Sequence, residues 1–166
     1  MGSPAANVST VAAFHPRLRS NRILPQSELE VKHLPKVFVV DDDIAILTSV
    51  EVVLIEQGYS VKCFKSAEEF LAQHHPTEVG CILVDLLMPG MSGGELLKYL
   101  QETGSILSVV IITGLIESVP TGEAQIASLP LLEKPYEVSA LLKMVEDGIA
   151  GSVRRRATRL LGGSLD

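Results

Sequence analysis

Short apolar runs alternate with segments of helical spacing along most of this 166-residue chain. The apolar runs cover residues 37–40, 60–64, 81–84, 109–112 and 131–132, and the helical segments cover residues 44–57, 66–71, 95–101, 115–128 and 137–149. A run as uninterrupted as Val37-Phe38-Val39-Val40 suits a strand that is buried on both faces of a parallel sheet. The alternation therefore predicts an α/β fold in which five parallel strands are covered by helices on both faces.

Charge is divided unevenly along the chain. Residues 37–150 contain five lysines and seventeen acidic residues, a net charge of −12, whereas residues 1–36 and residues 151–166 each carry +3. This division predicts one domain over residues 37–150 and a disordered extension over residues 1–36. It also predicts an Arg-rich helical tail over residues 151–166, which is too short to be an output domain. An acidic body argues against nucleic-acid binding.

Hydropathy and cysteine content indicate a protein of the reducing cytoplasm. The sequence has no stretch of about 18 apolar residues that could span a membrane, and its amino terminus lacks the long apolar segment of a secretory signal. Cys63 and Cys81 form no CxxC pair, so the sequence indicates neither a zinc site nor a disulfide framework. We therefore expect a cytoplasmic protein without a membrane partner.

Polar side chains follow four of the predicted strands. Asp41, Asp42 and Asp43 come after the first strand, Asp85 after the third, Thr113 after the fourth and Lys134 after the fifth. Because the carboxyl ends of parallel strands share one edge of a sheet, these side chains should converge. Crowded carboxylates repel one another unless a cation is present, and Mg²⁺ prefers such oxygen ligands. With a lysine and a hydroxyl to stabilise phosphoryl oxygens, the set suits transfer of a phosphoryl group to an aspartate.

Six stretches carry a specific resemblance to a known family. They are VFVVDDD at 37–43, GYSV at 58–61, FKSAEEFL at 64–71, VDLLMPGMSG at 84–93, VIITG at 110–114 and EKPY at 133–136. On these residues, the segment 37–150 resembles the receiver domain of response regulators in two-component signalling, of the FixJ type. The resemblance covers about two-thirds of the chain and implies a flavodoxin-like sheet with strand order 2-1-3-4-5.

The resemblance assigns a role to each acidic residue of the cluster. It implies that Asp85 is the phosphoacceptor, and that Asp41 and Asp42 hold Mg²⁺ together with Asp85 and the backbone carbonyl of Leu87. We interpret Asp43 as a charge at a helix amino terminus rather than as a metal ligand.

The resemblance also implies how the site works. Thr113 is the switch hydroxyl that moves onto the phosphoryl group, and the Lys134 side chain pairs with the phosphoryl oxygens. The peptide bond between Lys134 and Pro135 is expected to be cis. The expected function is to accept a phosphoryl group from a histidine kinase or a histidine phosphotransfer protein and then to regulate a partner. That partner would be a downstream effector, an output domain outside these residues or a second copy of the chain. No catalysis is expected beyond self-catalysed phosphorylation and dephosphorylation of Asp85.

Two alternatives stay open, and the first of them rests on a departure from the family pattern. The family usually has Tyr or Phe three residues before the lysine, where this chain has Leu131. Because leucine has no phenol edge to move, a receiver-like interaction module that works without phosphorylation is the first alternative. The second is a phosphatase of the haloacid-dehalogenase type, which would use residues 41–43 as its Asp-x-Asp motif. That reading leaves Asp85 without a role, and it finds further metal ligands only in Glu146 and Asp147.

Overall fold

A computed structural model describes residues 34–114, 126 and 128–162 of the protein. Within this part, five strands form a single sheet: β1 (Lys36–Val40), β2 (Ser60–Phe64), β3 (Gly80–Asp85), β4 (Ser108–Thr113) and β5 (Leu131–Glu133). All neighbouring strands are parallel, and their spatial order is β2-β1-β3-β4-β5. The predicted α/β fold and its strand order are therefore confirmed.

Four helices are described: α1 (Ile44–Glu56), α2 (Ala67–Leu71), α3 (Gly93–Glu102) and α4 (Val138–Gly162). Helix α1 begins after Asp43, whose Oδ1 accepts a hydrogen bond of 2.8 Å from the backbone N–H of Ala45. This contact satisfies one of the unbonded N–H groups at the helix start, and it confirms the interpretation of Asp43 as a helix-terminal residue.

Each face of the sheet has its own hydrophobic core because side chains alternate along the strands. One core contains Val37 and Val39 of β1 and packs against α1 and α4, through residues such as Leu54 and Leu141. The other core contains Phe38 and Val40 of β1 and packs against α2 and α3. Strand β3 is buried along its whole length, so the carboxyl edge of the central strands is held in a fixed position.

Helix α4 is much longer than the final helix of the predicted pattern. The predicted helix over residues 137–149 and the Arg-rich extension as far as Gly162 form one continuous helix, in which Ser152 is fully buried. Among the described helices, none is both long and apolar enough to cross a membrane. The disordered extension predicted over residues 1–36 lies outside the described residues except for residues 34–36. Most of the weak helix predicted over residues 115–128 also lies outside them.

Candidate functional site

The carboxyl edge of the sheet brings together side chains from the ends of four strands. Asp41 directly follows β1, and Asp85 and Thr113 are the last residues of β3 and β4. Lys134 follows β5, and its backbone N–H donates to the carbonyl oxygen of Thr113 at 2.8 Å. The convergence predicted from strand ends is therefore present, since residues up to 93 positions apart in sequence meet here.

Lys134 lies between two buried carboxylates. Its Nζ donates to Oδ2 of Asp41 at 2.6 Å and to Oδ2 of Asp85 at 2.9 Å. The Asp41 side chain is 3% exposed and the Asp85 side chain 11% exposed, so both ion pairs are shielded from water. Charge-assisted hydrogen bonds of this length are roughly twice as strong as neutral ones, and they hold the ammonium in a fixed place. The peptide bond between Lys134 and Pro135 is cis, as predicted.

Burial and pairing act on the acid–base behaviour of these groups in opposite directions. Burial raises the pKa of Asp41, and the hydrogen bonds from Lys134 and from the N–H of Asp43 only partly reverse that effect. Burial also tends to lower the pKa of Lys134, but the hydrogen bonds to Asp41 and Asp85 outweigh it and raise the pKa above its ordinary value. The lysine is thus a permanent positive charge at neutral pH. A further cation beside Asp41 would act in the same direction as Lys134 and lower the pKa of this carboxyl group.

Three carboxylates form a cluster that fits a small divalent cation. Asp41, Asp42 and Asp85 each offer one oxygen, and these atoms all lie within 4.8 Å of one another. Oxygens on opposite sides of a bound Mg²⁺ lie about 4 Å apart, so small side-chain movements would let these residues hold the ion. Asp42 is exposed whereas Asp41 and Asp85 are buried, which leaves one side of the cluster open to solvent.

The other predicted site residues lie beside this cluster. Thr113 is fully buried at the end of β4, next to the strand that carries Asp85. The backbone N–H of Leu87 donates to Oδ1 of Asp85 at 3.0 Å, and the Leu87 side chain is 48% exposed. Both oxygens of Asp85 are therefore held, one by Lys134 and the other by Leu87. Leu131 packs partly buried against an apolar cluster that contains Ile111.

The loop after Asp85 is positioned by two residues whose contacts are not evident from local sequence. A Cβ atom on Gly93 would overlap the carbonyl oxygen of Asp85 and lie 2.8 Å from the Cα of Leu86, so a side chain is excluded there. The carboxylate of Glu68 accepts a hydrogen bond of 2.8 Å from the N–H of Met91. That bond is the leading cause of the lowered pKa of Glu68. Glu68 lies 23 residues from Met91, so the capping pattern that predicted α2 did not reveal this contact.

Comparison with known proteins identifies the family. The family model of the response regulator receiver domain matches residues 37–146, which include every residue of the cluster. The chain belongs to this family. The receiver is 35% identical over 125 residues to the transcriptional regulatory protein FixJ of Azorhizobium caulinodans, an alignment that covers 72% of this chain and 57% of FixJ. The chain thus spans little more than half the length of this curated relative.

Solved structures agree with the receiver fold. The response regulator StyR superimposes with a TM-score of 0.73 at 35% identity, covering 78% of this chain and 66% of StyR. The chemotaxis protein CheY4 of Vibrio cholerae superimposes with a TM-score of 0.59 at 28% identity, covering 69% of this chain and 98% of CheY4. This receiver domain is therefore that of a response regulator of a two-component system.

Among the described residues, the carboxylate cluster does not include Glu146 or Asp147, the further metal ligands that a haloacid-dehalogenase-type phosphatase would use. Asp147 lies on α4, where its carboxylate pairs with Nζ of Lys143 at 3.1 Å in an exposed position. Asp85, which that alternative leaves without a role, is instead a member of the carboxylate cluster. Together with the family match, these positions favour the receiver interpretation.

Proposed function

We propose that this receiver accepts a phosphoryl group on Asp85 and thereby switches the activity of a partner. The observation that carries this proposal is the position of Lys134, whose Nζ contacts both Asp41 and Asp85 inside a cluster of three carboxylates. A fixed cation beside a held carboxylate is the arrangement that stabilises charge on a phosphoryl group during transfer.

The chemistry follows from these positions. An oxygen of Asp85 attacks the phosphorus of a phosphohistidine, the phosphorus–nitrogen bond breaks, and its electron pair remains on the imidazole nitrogen. Lys134 neutralises charge on the phosphoryl oxygens, and the Thr113 hydroxyl donates to one of them. Asp41, Asp42, Asp85 and the Leu87 carbonyl would hold Mg²⁺, which supplies further charge neutralisation when it is bound. In the separate hydrolytic step, water attacks the phosphorus, the phosphorus–oxygen bond to Asp85 breaks, and Asp85 leaves as a carboxylate while the phosphoryl group is released as inorganic phosphate.

The partners of this reaction are proposed from the family. The phosphodonor is a histidine kinase or a histidine phosphotransfer protein, and the receiver itself supplies the catalytic groups for gain and loss of the phosphoryl group. The phosphorylated form regulates a downstream effector or an attached output domain, in the cytoplasm where such donors act. Family membership and the arrangement of Lys134 with the three carboxylates support this assignment.

The test is phosphorylation by a small donor. We expect acetyl phosphate with Mg²⁺ to introduce one acid-labile phosphate per chain, and Asp85→Asn to lose it completely. Asp43→Asn is the matched control, because asparagine caps a helix as well as aspartate does and Asp43 already serves as the cap of α1. The proposal would be contradicted if Asp85→Asn were labelled as strongly as the unaltered protein. It would also be contradicted if neither the unaltered protein nor Asp43→Asn were labelled.

A second candidate function rests on Leu131. This side chain packs against an apolar cluster at the position where the family usually has an aromatic switch residue. The chain could therefore act as a receiver-shaped interaction module without phosphorylation. Beryllofluoride with Mg²⁺ separates the two candidates, since a working switch would show amide shifts near Thr113 that Asp85→Asn abolishes. Absence of binding at millimolar beryllofluoride would favour the interaction module.

A further inference from the structure

Three arginine side chains of α4 line a shallow cavity that is wide open to solvent and lies far from the carboxylate cluster. The cavity has a volume of about 530 Å³ and is lined by residues 104–106 and by Gly151, Arg154, Arg155, Thr158 and Arg159. It lies beside Ser108, the first residue of β4, whereas Thr113 at the other end of that strand belongs to the carboxyl edge. We propose that this cavity binds a small ligand carrying two or more phosphate groups.

Two of these arginines are held in place by the protein itself. Nε of Arg155 donates to the carbonyl oxygen of Ile106 at 3.2 Å, and its terminal nitrogen donates to Oγ of Ser108. A terminal nitrogen of Arg159 donates to the carbonyl oxygen of Gly104 at 3.0 Å. A guanidinium has five N–H donors, so both side chains keep donors for a ligand after making these bonds. Because their rotamers are already restricted, binding would cost less conformational entropy than it would for free side chains.

The arginines of this site form no ion pair with an acidic residue among the described ones. In the part of the chain that the structure describes, the ion pairs join Lys36, His74, Lys134 and Lys143 to carboxylates, and none involves an arginine. A Cβ atom on Gly151 would lie 3.6 Å from a terminal nitrogen of Arg155 and 3.8 Å from one of Arg154, so the two positive charges lie close together and repel each other. Burial and then the charge of Arg154 accordingly lower the pKa of Arg155. These arginines belong to residues 151–166, which carry a net charge of +3. An anion between the guanidiniums would relieve that repulsion.

The shape and chemistry of the cavity select the class of ligand. Arginine forks bind phosphate oxygens bidentately, and three guanidiniums match the charge of a diphosphate or triphosphate better than that of a single carboxylate. Ser105 and Thr158 also line the cavity, but their hydroxyls already bond His74 and the carbonyl oxygen of Arg154, so the guanidiniums supply the donors for a phosphate. A volume of about 530 Å³ lies within the range of pockets that hold small molecules.

Adjacent arginines provide a charge-matched test. The Arg154 side chain lines the cavity and donates no hydrogen bond to the body among the described contacts, whereas Arg156 does not line the cavity. Arg154→Gln and Arg156→Gln remove the same charge from neighbouring positions of α4. Neither change removes a hydrogen bond that anchors the helix, so both variants should fold like the unaltered protein.

The experiment is calorimetric titration of the full chain with inorganic tripolyphosphate, and separately with ATP, at low salt in EDTA without Mg²⁺. We expect one site per chain, binding at least about tenfold weaker in Arg154→Gln, and a change below about twofold in Arg156→Gln. Amide shifts should concentrate at residues 104–106. Asp85→Asn should bind as the unaltered protein does, which separates this proposal from the phosphoacceptor function.

Several results would overturn the proposal. These are no binding at about 10 mM tripolyphosphate, equal weakening by the two variants, or shifts centred on the carboxylate cluster. Tighter binding of duplex DNA, with the same loss in Arg154→Gln and Arg156→Gln, would indicate general attraction of a polyanion to the helix instead of a ligand site.

Discussion

At the carboxyl edge of the sheet, Lys134 is paired with the buried carboxylates of Asp41 and Asp85, whereas at the amino end of β4 the arginines of α4 bind backbone carbonyls and Ser108. The first region pairs its lysine with two of the three carboxylates of the cluster. The second uses its cations to bridge a helix to a loop, and these cations form no ion pair with the described residues. The two regions therefore differ in what a substitution removes. At the carboxyl edge a substitution disturbs a closely packed site. At the opposite edge of the sheet, where the strands begin (the amino edge), it removes a hydrogen bond that joins two elements.

The largest effect is expected at Gly93, on the carboxyl edge. Gly93→Ala would push a methyl group into the backbone of Asp85 and Leu86, so we expect the free energy of unfolding to fall by about 3 kcal/mol. Urea denaturation measures the change. Gly114→Ala is the control, because a Cβ there meets nothing within 4 Å. If both variants unfold at the same urea concentration, the close packing of this edge is refuted.

A smaller loss is expected at Ser152, on the amino edge. Its buried Oγ accepts from the N–H of Gly80 at 3.0 Å and donates to the carbonyl oxygen of Ile106 at 2.8 Å. Ser152→Ala leaves the Gly80 N–H without this partner, which should cost about 1–3 kcal/mol. In the control Ser49→Ala, an exposed hydroxyl that bonds Ile46 is lost, and stability should change by less than about 0.5 kcal/mol. Equal stability of the two variants would contradict the conclusion that the hydrogen bonds of Ser152 to Gly80 and Ile106 stabilise the packing of α4 on the sheet.

The smallest effect is a pH dependence at His74, whose ring stacks on Phe70 at 4.9 Å and lies 3.2 Å from Oγ of Ser105. Burial lowers the pKa of His74, and Glu78 reverses this only in part. The unfolded histidine, with a pKa near 6.5, therefore gains a proton first as the pH falls. Its contribution to stability is present above about pH 6.5 and is lost as the pH falls toward the pKa of the folded state.

We therefore expect the free energy of unfolding to fall between about pH 7.5 and about pH 5.5, and to fall less steeply in His74→Gln. Urea denaturation at several pH values measures the two slopes. His75→Gln is the neighbouring control, because that residue is exposed. If the free energy of unfolding of His74→Gln changes with pH as steeply as that of the unaltered protein, a group other than His74 causes the pH dependence. The burial of His74 would then not make the amino edge sensitive to acid.

Sequence patterns that act locally were sufficient for the sheet and for the convergence of the site. Uninterrupted apolar runs predicted buried parallel strands, and the position of Asp41, Asp85 and Lys134 at strand ends predicted that they would meet, which the structure shows. The roles of these residues in phosphoryl transfer stay predictions. The start of α3 has a local sequence signal, because Ser92 and Glu95 form a capping box. The helical spacing of the sequence nevertheless predicts a start at residue 95, two residues after the observed start at Gly93.

Contacts between distant elements could not be predicted in the same way. The hydrogen bond from Met91 to Glu68 depends on how α2 is rotated, and that rotation follows from packing of the whole core. The contacts of Ser152 and Arg155 depend on α4 continuing past residue 149 as one uninterrupted helix. From net charge alone, these arginines are interpreted as part of a solvated tail. Their hydrogen bonds to the carbonyl oxygens of Ile106 and Gly104 cannot be predicted from charge, because these carbonyl groups come near α4 only in the folded protein.

The position of Ser152 has a consequence for where the independently folding unit ends. Both the family match, which stops at residue 146, and the change of charge after residue 150 would place a domain boundary before this serine. A fragment cut there would lose the hydroxyl bound to Gly80 and the guanidinium bound to Ile106. The smallest fragment with the stability of the whole receiver must therefore extend through Arg155. The segment that folds independently is thus longer than residues 37–146, the segment that the family model matches.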